Sequence, residues 1–182
     1  TLTNGGTGSL WGAQLEAGTS VSSYIPTAAV SASRAADVVT FSDLTWFDGT
    51  SSSIYAEWVA KNTNNAKVWA LDATNAVLLD EQTGMSARIA DAGATFAITT
   101  ATTATAGATV KAAARMAAND IALSLNGGTV GTDTTATQPG TLTASRLGID
   151  LSSANALNSY IRRISAFKSL LVSNANLQSL TS

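Results

Sequence analysis

A period of two runs through much of the chain. In "SIYAEWVAK" (53–61), Ile54, Ala56, Trp58 and Ala60 alternate with Tyr55, Glu57, Val59 and Lys61, the pattern of a strand with one buried face. Polar "NTNNA" then makes a tight connection to "KVWALD" (67–72), and "AVLLD" (76–80) and "MSARIAD" (85–91) follow at similar spacing around a Thr-Gly turn signal. Upstream, Val38, Val39 and Phe41 read as the first strand of a main domain; downstream, "RLGIDL" (146–151) and "SYIRRISAFK" (159–168) read as its closing strands. Short strands at regular spacing with turns between them indicate a sandwich or barrel.

One segment fits two periods. "TVKAAARMAANDIALSLNGG" (109–128) has the alanine content of a helix, with Lys111 and Arg115 four apart, yet Val110, Ala112, Ala114 and Met116 also alternate as in a strand. Downstream, Ile121, Leu123 and Leu125 share a face and run into Asn126-Gly127, a pair that tolerates the positive φ of a tight hairpin turn. Strand is therefore preferred over helix. "TFAITTATTATAGAT" (95–109) suits a strand or a solvated loop. A helix is predicted only at the end, where Ser173 is placed as an N-cap, Val172 and Leu177 form a hydrophobic staple, and Leu180 continues the apolar stripe.

Near the start, Trp11, Ala13 and Leu15 put three apolar side chains on one face of an extended run, and a Gly/Ser/Thr-rich stretch follows it. Residues 1–27 are accordingly expected to be an arm and tether, and 28–182 a single sandwich. The alternative is that the arm is that sandwich's own first strand. Because the chain begins with Thr, it is expected to be a piece of something longer.

Composition narrows the chemistry. Charged residues make up 12% and the net charge is −2, so no large basic field draws nucleic acid or an anionic surface, and neither nucleic acid nor membrane is expected as a partner. Cys and His are both absent, which excludes Ser-His-Asp and Cys-His catalysis and the usual zinc ligand sets. No apolar run approaches the roughly 20 residues that span a bilayer.

"LWGAQLEAGTSVSSYIPT" followed by "SRAADVV" resembles a junction that recurs in bacteriophage structural and tail proteins. "IRRISAFKSLLVSNANLQSLT" and "NDIALSLNGGTVGTDT" are similar to the last strand, short helix and central hairpin of concanavalin A-like (laminin G-like) jelly-roll modules. Between them, residues 62–108 match only in strand rhythm. The resemblance implies an all-β fold: an antiparallel β-sandwich of the concanavalin A-like jelly-roll kind, with a short C-terminal helix and an N-terminal extended arm. Residues 1–15 would then be the last strand of a preceding sandwich and 16–36 the tether. It further implies a non-enzymatic virion component, a tail fibre, spike or head-decorating protein, that binds host-surface glycan and contacts other virion proteins as a homo-oligomer such as a trimer. The alternatives are an assembly module without sugar binding and, less favoured, a glycan hydrolase.

The candidate residues follow from what sugars require. Glucanases of this fold carry a Glu-x-Asp-x-x-Glu strand pattern that is absent here, and adjacent Asp80-Glu81 would point to opposite faces, at a turn or rim. Glu57 and Asp91 could meet only through the fold, and no catalytic residue is assigned. Asp72, Asp120 and Asp150 sit at strand ends but read better as turn residues than as calcium ligands, so neither metal nor cofactor is expected. Stacking on a sugar needs an exposed aromatic beside polar groups. Tyr55, Glu57, Trp69 and Arg88 are the candidate ligand-binding surface, against the alternative that Trp69 packs the core. Trp58 is assigned to the core, and Arg162-Arg163 to bracing a sheet edge or a subunit contact.

Overall fold

In the computed structural model the chain forms two compact units, Thr1–Asp37 and Val38–Ser182. The structure describes residues 12–15, 24–27, 30–32, 38–48, 51–61, 66–71, 77–82, 86–91, 94–100, 106–135 and 144–182, with only the backbone described at 77–78, 82, 86–91 and 94–100. In the first unit, the Gln14 side-chain oxygen accepts the Ile25 N–H at 2.8 Å. Residues 12–15 form no strand. Gly12 has φ +75°, and a Cβ there would meet the Tyr24 ring at 3.7 Å, so the extended run expected around Trp11 breaks at its second residue. Leu15 is fully exposed; Trp11 lies outside the described residues.

The second unit is the expected antiparallel β-sandwich, with a jelly-roll arrangement of two sheets and a short C-terminal helix. Its strands are β1 (Val39–Phe41), β2 (Ser51–Val59), β3 (Ala66–Leu71), β4 (Val77–Gln82), β5 (Ser86–Asp91), β6 (Ala94–Thr100), β7 (Thr109–Ala117), β8 (Asp120–Leu125), β9 (Gly131–Asp133), β10 (Ser145–Leu147) and β11 (Ile161–Lys168), followed by α1 (Asn174–Thr181). One sheet has six strands in the order β1-β10-β3-β4-β5-β6, and the other five in the order β11-β2-β7-β8-β9.

The core lies between the sheets because the alternation of β2, β7 and β8 turns one set of side chains inward. Ile54, Ala56, Trp58, Val110, Ala112, Ala114, Met116, Ile121, Leu123 and Leu125 are all buried there, facing Val68, Leu71 and Leu79 from the six-stranded sheet. β7 is thus a strand, as its alternation rather than its alanine content indicates. Alanine's helix preference is a few tenths of a kcal/mol per residue, which cross-strand pairing and burial of Val110 and Met116 outweigh. Asn126 and Gly127 take φ of 47° and 68°, and Gly128 N–H closes the turn on Leu125 O at 2.8 Å. Asn126 also clasps β7, its amide oxygen accepting the Lys111 N–H at 2.8 Å.

Three local expectations need correction. Asp80 and Glu81 are not at a turn or rim but inside β4, 0% and 1% exposed. They point to opposite faces and each has a donor: Lys67 Nζ lies 3.2 Å from Asp80 Oδ2, and Trp58 Nε1 donates to Glu81 Oε2 at 2.9 Å. The strand expected over 146–151 stops at Leu147, since Gly148 turns the backbone to φ 73°. In α1, Ser173 caps the helix by accepting the Asn176 N–H, and Leu177 is buried, but Leu180 is 42% exposed and Thr181 takes the inward position instead. The Thr181 hydroxyl reaches Ser124 Oγ at 3.1 Å and accepts the Gly127 N–H at 3.0 Å.

Candidate functional site

The five-stranded sheet has a second face, away from the core. Along β2 it carries Ser53, Tyr55 and Glu57; in register on β7 stand Arg115, Ala113 and Lys111, and on β11 Phe167, Ser165 and Arg163. The chain's last segment roofs one end of this face: Tyr55, Ala113, Ala122 and Leu177 form a small apolar cluster with Val130, Phe167 and Val172 packed against it. The other end is open. There Glu57 stands between Arg163 and Lys111, whose Nζ donates to the Ser182 main-chain oxygen at the edge of the roof, and Tyr160, 69% exposed, lies opposite Val59, its main-chain oxygen accepting the Val59 N–H at 2.8 Å.

Tyr55 sits where the two ends meet. Tyr55 is 7% exposed and the Arg163 guanidinium carbon lies 5.5 Å from its ring centroid, a cation–π distance. Its hydroxyl donates to Glu57 Oε2 at 3.3 Å. Burial first, then the Glu57 charge and that hydrogen bond, push the Tyr55 pKa above its usual value, with Arg163 opposing. Tyr55 therefore stays a neutral donor that holds the Glu57 carboxylate, and its covered ring is unavailable for stacking on a sugar.

The β11 strand reaches this face through a bulge. Ile161 opposes Trp58 and Arg163 opposes Glu57, so Arg162 is the extra residue. Strict alternation would turn Arg163 inward with Ile161; the bulge instead lets Ile161 and Ile164 both pack on the core while Arg162 and Arg163 are both exposed.

Of the candidate surface residues, the fold brings Tyr55 and Glu57 together and leaves the others elsewhere. Trp69 belongs to β3 of the six-stranded sheet, 2% exposed. Its indole N–H donates to Ser145 Oγ at 2.8 Å, and its ring centroid is 4.9 Å from that of Trp46. The single outer surface is thus corrected: Trp69 packs the core, because β2 and β3 belong to different sheets. Arg88 is in β5 of that same six-stranded sheet, paired with Asp80 and Ile98. Asp91, also in β5, is in a different sheet from Glu57.

The rim aspartates are engaged locally. Asp120 Oδ1 accepts from Arg115 at 2.7 Å. Burial opposes the charge of Asp150, but donors from Ser152, Ala154 and Asn155 outweigh it and hold the pKa below the usual value. Asp72 lies outside the described residues. Among the described residues no three carboxylates gather as a metal site would require.

The sequence reading missed Tyr160 as an open aromatic, and it treated Arg162-Arg163 as edge braces. β11 is indeed an edge strand. The signal for the rest was Ile161-x-x-Ile164: two core isoleucines three apart in a strand require an extra residue between them.

No protein-family model matches the chain, and no curated protein matches it in sequence. Solved structures share its fold. A Trypanosoma rangeli sialidase superposes with TM-score 0.54 at 11% identity, over 73% of this chain and 23% of the sialidase. The NanB sialidase of Streptococcus pneumoniae gives 0.55 at 14%, over 80% and 27%. A pentraxin of Limulus polyphemus, described as SAP-like, gives 0.56 at 7%, over 72% and 70%. The chain spans about a quarter of the sialidases' length.

These likenesses correct the expectation that the chain is not an enzyme. Its sandwich recurs inside two sialidases, of which it spans about a quarter. The missing carboxylate pattern was also too narrow a criterion, since glycoside hydrolysis can proceed through a tyrosine nucleophile.

Proposed function

We propose that the chain is the glycan-engaging sandwich of a phage virion attachment protein, acting through the open end of the five-stranded sheet's outer face. The observation that carries the binding reading is the grouping there of an exposed aromatic, Tyr160, with a carboxylate, Glu57, and the exposed cation Arg163. Sugars are held by this combination: a ring to stack on, acceptors and donors for hydroxyls. An open surface binds one sugar weakly, so copies on an oligomer such as a trimer would supply avidity. The virion assignment rests on the junction residues 10–27 and 33–39 and on no structural likeness.

A glycan array probed with the full chain and with Tyr160→Ala tests the binding reading. Binding to a subset of glycans, lost in the variant, supports it; identical array profiles for the two proteins would remove this surface from consideration. Labelling of purified virions with an antibody raised against the chain tests the location.

A further inference from the structure

We infer that the open end of this face takes an acidic saccharide, with Arg162 and Arg163 reading a carboxylate or sulfate and Tyr160 supporting the sugar ring. This deepens the glycan reading above and rests on it. The bulge places two consecutive guanidinium groups outside the core on one strand, where an ordinary strand would send them to opposite faces. Each guanidinium offers five N–H donors in a fixed fork suited to carboxylate or sulfate oxygens. Neither makes a hydrogen bond or ion pair among the described residues; Arg163 is only laid over the Tyr55 ring.

Charge points the same way. The whole chain carries −2, yet at this end Arg163 stands opposite the one carboxylate, Glu57, with exposed Arg162 next to it in the bulge; Glu57 Oε2 already accepts the Tyr55 hydroxyl, and Lys111 on the other side donates to the Ser182 main-chain oxygen. Tyr160 and Arg163 oppose Val59 and Glu57, two residues apart on β2, hence roughly 7 Å along the sheet. A ring on Tyr160 therefore places its acidic substituent within reach of the arginines, and Glu57 faces its hydroxyls.

The test measures binding of the full chain to four probes at physiological salt: an oligoguluronate (carboxylated), a dextran sulfate oligosaccharide (sulfated), uncharged maltohexaose, and polyphosphate. Both acidic saccharides, or one of them, should bind at least about tenfold tighter than maltohexaose, and which one does so identifies the anionic group. The Arg162→Gln/Arg163→Gln variant should lose about a hundredfold on that probe, roughly tenfold per charge-assisted contact. Both side chains are exposed, so a single cooperative unfolding transition, lowered by no more than the small loss of the Arg163–Tyr55 contact, shows that the variant is folded. Tyr160→Ala should weaken saccharide binding and leave polyphosphate unaffected. Equal binding of neutral and acidic saccharides, unaltered in the double variant, overturns the acidic inference and leaves the glycan reading standing. Polyphosphate bound as tightly as the saccharides, with no dependence on Tyr160, overturns it in favour of simple charge attraction. Failure to bind any of these probes, or any member of an array of acidic glycans, overturns both.

Discussion

The two ends of the five-stranded sheet's outer face rise from the same strands, β11, β2 and β7, and differ in what stands on them. Under the C-terminal segment, β7 and β8 present Ala113 and Ala122, both fully buried. Small side chains let Leu177 approach the sheet closely, and the Thr181 hydroxyl fastens α1 to Ser124 and Gly127. Two residues further along β7 stands Lys111, and two further along β2 stands Glu57. Here a close roof would bury charge at a cost of several kcal/mol per ion unless it supplied partners, as it does for Arg115 through Val172 O and Asn174 Oδ1. A helix packs where alanines permit it; Lys111 meets the end of that segment only through the Ser182 main-chain oxygen, and Glu57 and Arg163 beyond are left for solvent or for a ligand. One face thereby holds a structural region and a candidate binding region with no change of backbone architecture.

The largest expected effect lies on the roofed side. Leu177→Ala should cost about 2–5 kcal/mol, the range for a buried leucine truncated to alanine, measured by urea unfolding of the purified chain. A loss near zero would mean that the roof contributes little and that the two ends are energetically alike. Next, Ser173→Ala removes the hydroxyl that accepts the Asn176 N–H and should cost about 1 kcal/mol, read from the same unfolding curves.

On the open side, Arg163→Ala should cost only about 0.5–1 kcal/mol, the worth of an exposed cation–π contact. A larger loss would turn Arg163 into a structural residue and weaken the contrast. The smallest effect tracks pH at the meeting point. Tyr55 has a raised pKa in the fold, so its contribution to stability is fully present below about pH 10 and is lost as pH climbs through the raised value. Tyrosinate absorbance should show a component that ionises above the usual tyrosine range, and Tyr55→Phe should abolish that late component.

Much of the sandwich was legible because its strands alternate strongly. Trp58 could be placed inside from its neighbours Ile54 and Ala56, and β7 from Val110, Ala112, Ala114 and Met116. The candidate site was half legible. Tyr55 and Glu57 share a strand, so their common face follows from local spacing, whereas Trp69 depended on which sheet β3 would join, a question of topology that period cannot answer. Asp80 and Glu81 looked like turn residues because adjacent carboxylates rarely enter a strand. Their burial depends on Lys67, Trp58 and Lys61, partners between 13 and 23 residues away in sequence. Tyr160 and the arginine pair became interpretable only once the bulge fixed their side of the sheet.

The hydrogen bond from Trp58 to Glu81 joins a strand of one sheet to a strand of the other across the core. It makes Trp58 an optical strain gauge for the sandwich. Sliding or parting of the two layers must break the indole N–H contact, and the fluorescence of Trp58 will register that event. Trp69, tied to Ser145 within its own sheet, will keep its partner until that sheet itself comes apart. With Trp58 or Trp69 replaced by phenylalanine in turn, the same spectrum can time separation of the layers against dissolution of a layer.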